Sequence, residues 1–421
     1  MQRRSFLILL LLISCTAGGI RTAWILNHFE SLSVDVDGYL DIGRHLAAGD
    51  GYSAGKPPDT YKTAFRPPLY PLVVGLALRL TGDLWGLASL PILMGVATVL
   101  LVGLTASRCS ISPLGCLVAP AIIAFDPILV YVSVTPMTET LCTLLIAAWG
   151  YSVTSPSPLR NWFSGLLLGL LALCRPTFLP FIFLQMGLVT LCTLSRSLPL
   201  GELRARWGSV LIQFLCISLC LLPWTIRNGL VVGKWTPATT HGGYTLLLGN
   251  NASFYREVLH APWGTSWKGE SLLAWQREIE GQMRAEDPKI NTEPERDRWF
   301  YQLAMRTIRR QPRDFLLSCG WRLARLWDIL PQIPLPIAVR WGLASWYLAI
   351  FGGGLIGTVV ILLQKRWESL LFLLMILNVS AVHLLYWTDL RMRAPLLPLV
   401  AILATLGWQT IFGKWRASPQ A

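Results

Sequence analysis

Apolar stretches recur along the chain near residues 5–26, 86–106, 114–133, 138–154, 162–174, 177–194, 208–226, 337–363, 367–387 and 395–412. A hydrocarbon core about 30 Å thick is crossed by about 20 helical residues, so this pattern predicts an all-α polytopic membrane protein with about ten transmembrane helices. Polar connections are short except at 27–85 and 227–336. The short loops carry Arg3, Arg4, Arg108, Arg160, Arg196, Arg204, Arg206, Lys365, Arg366, Lys414 and Arg416 on one side, which the positive-inside rule assigns to the cytoplasm together with both termini. The two long segments then lie on the outer face. The predicted organisation is a first transmembrane helix (1–26), a first outer loop (27–85), helices two to seven (86–226), a second outer segment (227–336), and three last helices with a cytoplasmic tail (337–421).

Inside the first outer loop, Pro68 to Leu80 is too short to span and closes on Arg79 and Asp83, which predicts a surface amphipathic helix. In the second, Glu270 to Glu286 and Glu295 to Leu330 carry helical periodicity, the latter interrupted around Pro312.

Composition agrees. Of 421 residues 53% are apolar and 14% charged, far from the balance of soluble domains. The net charge of +13 is scattered over loop ends without a basic block and interleaved aromatics, which argues against nucleic acid and for membrane anchoring. Trp24, Trp85, Trp149, Trp224 and Trp387 fall near span ends, where indole favours the headgroup region. Nine cysteines, including Cys142, Cys174, Cys192, Cys216 and Cys220, lack metal or disulfide spacing and are expected to be small buried apolar residues. No two histidines stand at helical ligand spacing, so a histidine-built zinc site is not expected. Arg3-Arg4-Ser5-Phe6-Leu7 imitates an export signal and Leu12-Ile13-Ser14-Cys15 a lipoprotein box, but the apolar run continues past Cys15, and an uncleaved first helix is expected.

Candidate chemistry gathers on the outer side. Asp35 and Asp37 follow the first span directly, and carboxylates beside a membrane are costly unless a partner or substrate uses them. One could serve as a base while another holds a divalent cation. Pro67-Pro68 stiffens the chain after Arg66, and a fixed cation suits a phosphate. Glu139 is an outer-boundary acid at a helix start. Arg227 and Asn228 close span seven, His241-Gly242-Gly243-Tyr244 and Asn250 follow in a glycine-rich loop, and asparagine amides can pair with sugar hydroxyls. Arg391 and Arg393 are exceptions to the charge rule, two arginines on the outer face at Tyr386–Pro395. Each of these also has an ordinary reading as a headgroup anchor, a helix start or a turn.

In order and sidedness these motifs resemble the bacterial glycosyltransferase C superfamily. They comprise an acid a few residues before a tyrosine after span one, a basic-Pro-Pro-x-Tyr helix and an outer acid before span four. A Trp-x-x-Arg-Asn end to span seven and an Arg-x-Arg-x-Pro start to the last span complete the set. Within that superfamily the chain is similar to the phospholipid-carrier-dependent branch of protein O-mannosyltransferases and the lipid A aminoarabinose transferase. The resemblance runs from Arg4 to about Trp415.

It implies a glycosyltransferase of the bacterial inner membrane that uses a polyprenyl-phosphate sugar donor, with a protein, lipid or polysaccharide acceptor. Asp35 would be the catalytic base, with Asp37 as fallback, and the donor phosphate would meet Arg66, Arg227, Arg391 and Arg393. Tyr39, Tyr70, Asn228 and Asn250 would face sugar or acceptor, while Asp37 and Glu139 are candidates to hold a divalent cation, magnesium or manganese. A transporter or flippase of a lipid-linked saccharide is the main rival. Transporters place charges near the midplane and repeat their topology, whereas here the charges gather at one face and no repeat is visible.

Overall fold

The structure is a computed structural model. It describes residues 2–56, 58–109, 111–194, 200–364 and 367–412, with side chains described for all of these except 189, 191–194, 200–206 and 367–369. Arg196, Lys365, Arg366, Lys414, Arg416 and the side chains of Cys192, Arg204 and Arg206 therefore lie outside the described set.

The chain is almost wholly helical. In order, α1 (Arg3–Asn27) leads into a first polar segment with α2 (Tyr39–Ala48), strands β1 (Ser53–Ala54) and β2 (Tyr61–Lys62), and α3 (Leu69–Thr81). The strands pair antiparallel, Ser53 opposite Lys62. Next come α4 (Leu84–Ala106), α5 (Gly115–Phe125), α6 (Pro127–Tyr131), α7 (Glu139–Val153), α8 (Arg160–Cys174), α9 (Leu179–Leu194) and α10 (Leu200–Val231). The second polar segment holds α11 (Gly242–Gly249), α12 (Ala252–Phe254), α13 (Glu270–Glu286), α14 (Glu293–Arg310) and α15 (Pro312–Leu326). The last helices are α16 (Ile337–Gln364), α17 (Trp367–Leu385) and, after a 3₁₀ turn at Leu390–Leu396, α18 (Leu397–Phe412).

The expected apolar stretches all fall on helix. By length and composition five of the described helices can cross a membrane: Arg3–Asn27, Leu84–Ala106, Trp207–Val231, Ile337–Gln364 and Leu390–Phe412. In place of the expected single span at 114–133 stands a pair of helices bent by 43° between Phe125 and Pro127. Pro127 has no N–H to continue α5, and the Asp126 carboxylate restarts the helix by accepting from the backbone N–H of Ile128 (3.0 Å) and Leu129 (3.1 Å). The remaining apolar helices, such as Arg160–Cys174, are shorter.

Close packing inside the bundle depends on missing side chains. A methyl group on Gly357 of α16 would run into the Leu403 carbonyl of α18, and one on Gly407 into the Gly353 carbonyl, so these two helices touch backbone to backbone. Gly95 of α4 likewise leaves room for Arg21 of α1, whose buried guanidinium donates to the carbonyls of Ala17 (3.2 Å) and Ile123 (3.3 Å).

The second polar segment builds its own core from Leu247, Phe254, Tyr255, Trp267, Trp275 and Trp299. Thr292 and Glu295 form a reciprocal cap at the start of α14, and Pro312 separates α14 from α15 as expected. The tryptophan expectation needs correction: only Trp85 of the five is exposed. Trp149 is fully buried against Phe181 and Phe372, Trp387 packs on Phe254 in the core of the outer segment, and Trp224 donates to the Ala238 carbonyl (2.9 Å). Cys142, Cys174 and Cys216 are buried as expected, and Cys220 is half-buried.

Candidate active site

Five side chains from five places in the sequence form one charge ladder. Arg175, between α8 and α9, donates to Glu139 Oε1 (2.9 Å) and to Thr138 Oγ1 (2.7 Å). Arg391 donates to the same Glu139 oxygen (2.7 Å) and reaches Asp37 Oδ2 (3.3 Å), with Met137 Sδ also in contact. Arg66 closes the ladder on Asp37, through Nη2 to Oδ1 (3.1 Å) and Nε to the backbone carbonyl (2.5 Å). Three guanidinium groups face two carboxylates, an excess of one positive charge at a site shielded from water, where such an excess attracts anions strongly.

Local sequence explains each placement. Gly38 adopts φ +77°, a left-handed conformation that turns the chain between Asp37 and α2. Pro67 and Pro68 start α3 and fix the approach of Arg66, whose guanidinium lies over the rings of Tyr39 (5.1 Å) and Phe65 (5.0 Å). Glu293, at the first turn of α14, ties the two polar segments together. It accepts from Thr63 Oγ1 (2.5 Å), the Ala64 N–H (2.9 Å) and Thr240 Oγ1 (2.8 Å), clamping the loops that carry Arg66 and His241.

The ladder opens on a cavity of about 1540 Å³ between the two polar segments and the helix ends, lined by Asp37, Tyr39, Arg66, Arg175, His241, Tyr244 and Arg391 among others. That exceeds the usual size for one small ligand, and leaves room for two reactants. Burial pushes the Tyr39 hydroxyl up to about 12, with Asp37 adding to the rise, so it remains a proton donor at neutral pH. Burial, reinforced by the nearby Arg66 charge, holds His241 well below the ordinary histidine value, so its ring is neutral there.

The structure brings together Asp37, Tyr39, Arg66, Glu139 and Arg391 among the expected residues. It places the others elsewhere. Asp35 does not line the cavity: its Oδ2 accepts the Asp41 N–H at the start of α2 (2.7 Å), and its Oδ1 is buried without a partner. Arg393 is fully buried and turned away, donating to the carbonyls of Leu326 (3.0 Å) and Asp328 and covering Tyr347. Arg227 also stands outside the lining and braces the first loop through the carbonyls of Thr63 (2.6 Å) and Tyr52 (3.0 Å). Asn228 donates to the Thr236 carbonyl (3.1 Å), and Asn250 to those of Leu246 and Leu385 (2.8 Å each), so both amides hold the protein's own backbone. Tyr70 packs edge-on against Tyr39 (5.6 Å) and lines a small neighbouring cavity with Thr135.

For a divalent cation the fit is poor. Arg391 bridges Asp37 and Glu139, and among the described residues no group of three His, Cys, Asp or Glu side chains could hold a metal ion. Arg175 stands outside the expected set, although its place between two apolar stretches is the signal that marked Arg391, an arginine on the side where the positive-inside rule expects none.

No family model matches the sequence, and no curated protein matches it. Solved structures do. The chain superimposes on the archaeal oligosaccharyltransferase AglB from Archaeoglobus fulgidus, in complex with an inhibitory peptide and a dolichol-phosphate, at a TM-score of 0.55 and 13% identity. The match covers 97% of this chain and 50% of that one. The two chains share a fold. The apo form of the same enzyme gives a TM-score of 0.56 over 98% of this chain and 51% of that one, so the chain spans about half the length of these oligosaccharyltransferase chains. ArnT from Cupriavidus metallidurans bound to undecaprenyl phosphate aligns at a TM-score of 0.43 and 14% identity, over 97% of this chain and 78% of that chain.

Proposed function

We propose that the protein transfers a sugar from a polyprenyl-phosphate carrier to a protein, lipid or polysaccharide acceptor at the outer, periplasmic face of a bacterial inner membrane, with both termini cytoplasmic. The observation that carries this reading is the ladder itself, three arginines on two carboxylates facing one large cavity. A fold shared with an oligosaccharyltransferase in complex with a dolichol-phosphate supports it.

Arg66 and Arg391 are the donor-phosphate ligands in this reading, with Arg175 behind them; Arg227 and Arg393 support the loops that hold the site. As the phosphate arrives, Arg66 and Arg391 exchange Asp37 for its oxygens, which frees a carboxylate beside the reacting centre. Asp37, rather than the cavity-averted Asp35, then takes the proton of the attacking acceptor. The acceptor oxygen or nitrogen bonds to the anomeric carbon as the bond from that carbon to the phosphate oxygen breaks. The carrier leaves as a phosphate with one more negative charge, which the arginines stabilise. A single displacement inverts the anomeric configuration.

The test is reconstitution of the purified protein with radiolabelled undecaprenyl-phosphoryl sugars and a membrane extract as acceptor source. Time-dependent loss of label from the lipid, with inverted linkage in the product, is the expected result. If every donor stays intact while the intact lipid crosses the bilayer, the protein is a flippase.

A further inference from the structure

A residue outside the charge ladder carries one more assignment, which rests on the donor reading above. His241 lines the cavity, and its ring packs edge-on against Phe65 at 4.2 Å, the residue before Arg66. A group bound next to the phosphate on Arg66 therefore meets His241, and in a polyprenyl-phosphoryl donor that group is the sugar.

Thr245 engages one ring nitrogen. Its Oγ1 lies 2.9 Å from both Nδ1 and the His241 carbonyl. With the hydroxyl proton on the carbonyl, Oγ1 accepts from Nδ1, and Nε2 is the ring's acceptor. Arg66 and burial oppose a second proton on the ring. Nε2 repels phosphate and ring oxygens, which are acceptors themselves, and suits an O–H.

We propose that His241 is a sugar-reading residue that accepts a hydrogen bond, through Nε2, from a hydroxyl of the transferred sugar. Such a residue gives selectivity for the glycosylated carrier over the bare one, because Arg66 and Arg391 bind the phosphate of both.

The experiment measures affinities of the full chain in nanodiscs for undecaprenyl phosphate and for undecaprenyl-phosphoryl glucose, mannose and arabinose. The proteins are wild type, His241→Ala, His241→Gln and Thr245→Val, each matched for melting temperature. One neutral hydrogen bond predicts that His241→Ala weakens binding of the preferred glycosylated lipid about 3- to 10-fold and leaves the bare lipid unchanged. The His241→Gln carboxamide oxygen recovers part of the loss. Thr245→Val, which frees the tautomer, gives an intermediate one.

Equal weakening toward both lipids makes His241 a packing support for Phe65 and Arg66 and overturns the assignment, as does no change toward either. A wild type that binds the glycosylated lipids no tighter than the bare one also overturns it while leaving the phosphate site standing. A wild type that binds neither contradicts the donor reading itself.

Discussion

Arg391 Nη1 lies 2.7 Å from Glu139 Oε1, although 252 residues separate them in the chain. Glu139 is 1% exposed and shares that oxygen with Arg175, so one buried carboxylate holds two arginines at the cavity wall. Removing it leaves Arg175 without its carboxylate partner and Arg391 with Asp37 alone. Glu139→Ala is expected to cost about 3–5 kcal/mol of stability, as for other broken buried pairs, and to lower the melting temperature in detergent markedly. Glu139→Gln, which keeps an acceptor oxygen, should lose less; equal melting of all three proteins would contradict the linchpin role.

Arg66 makes two directed contacts with Asp37 and lies over two rings, a planar fork geometry that lysine cannot copy. Arg66→Lys should therefore weaken undecaprenyl-phosphate binding about tenfold, or roughly 1.4 kcal/mol, at unchanged charge. Titration in nanodiscs at two salt concentrations checks this.

Arg393 separates stability from donor binding. It grips the Leu326 and Asp328 carbonyls and takes no part in the cavity lining. Arg393→Ala is expected to lower the melting temperature, while the folded fraction binds undecaprenyl phosphate with wild-type affinity. Arg391→Ala should do the reverse, losing affinity first.

His45 gives the first polar segment a pH dependence. Nδ1 faces the Asp50 carboxylate (2.9 Å) and Nε2 the Gly55 carbonyl (2.8 Å), so only the doubly protonated ring satisfies both, and these bonds raise its pKa above the usual histidine value. The raised folded value means that this contribution is fully present below pH of about 6.5, the unfolded value, and is lost as pH rises through the folded one. Wild type minus His45→Gln melting temperature should thus shrink from pH 5.5 to 8.5; a constant or growing difference contradicts the protonated clamp.

Because Arg391 stands between Asp37 and Glu139, donor binding is expected to survive exhaustive chelation. A loss of lipid affinity with EDTA, restored by magnesium or manganese, would show that the arginine yields to a cation.

Much of the fold is legible in the sequence because lipid imposes long apolar helices, and that pattern survives any detail of packing. The break at Asp126-Pro127 is written in the residues but hides in an otherwise apolar run. Within the site, legibility ends at direction. Arg391 and Arg393 share a 3₁₀ turn at about three residues per revolution, so two positions apart they point to different sides: one enters the cavity and the other grips α15 and the loop after it. Asp35 and Asp37 part company similarly, as Gly38 turns the chain and Asp35 is drawn back to the Asp41 N–H. Arg227, Asn228 and Asn250 read as ligands by residue type, yet their partners are backbone carbonyls that irregular loops would otherwise leave unpaired.

The choice between the two aspartates is the most direct test. Sugar transfer from a labelled undecaprenyl-phosphoryl donor is measured for wild type, Asp37→Asn and Asp35→Asn, at matched folding and matched donor affinity. Asp37→Asn should lose at least about a hundredfold in rate, the usual contribution of a general base, while Asp35→Asn keeps most of the activity. The opposite order, or full activity in Asp37→Asn, would contradict Asp37 as the group that takes the acceptor proton.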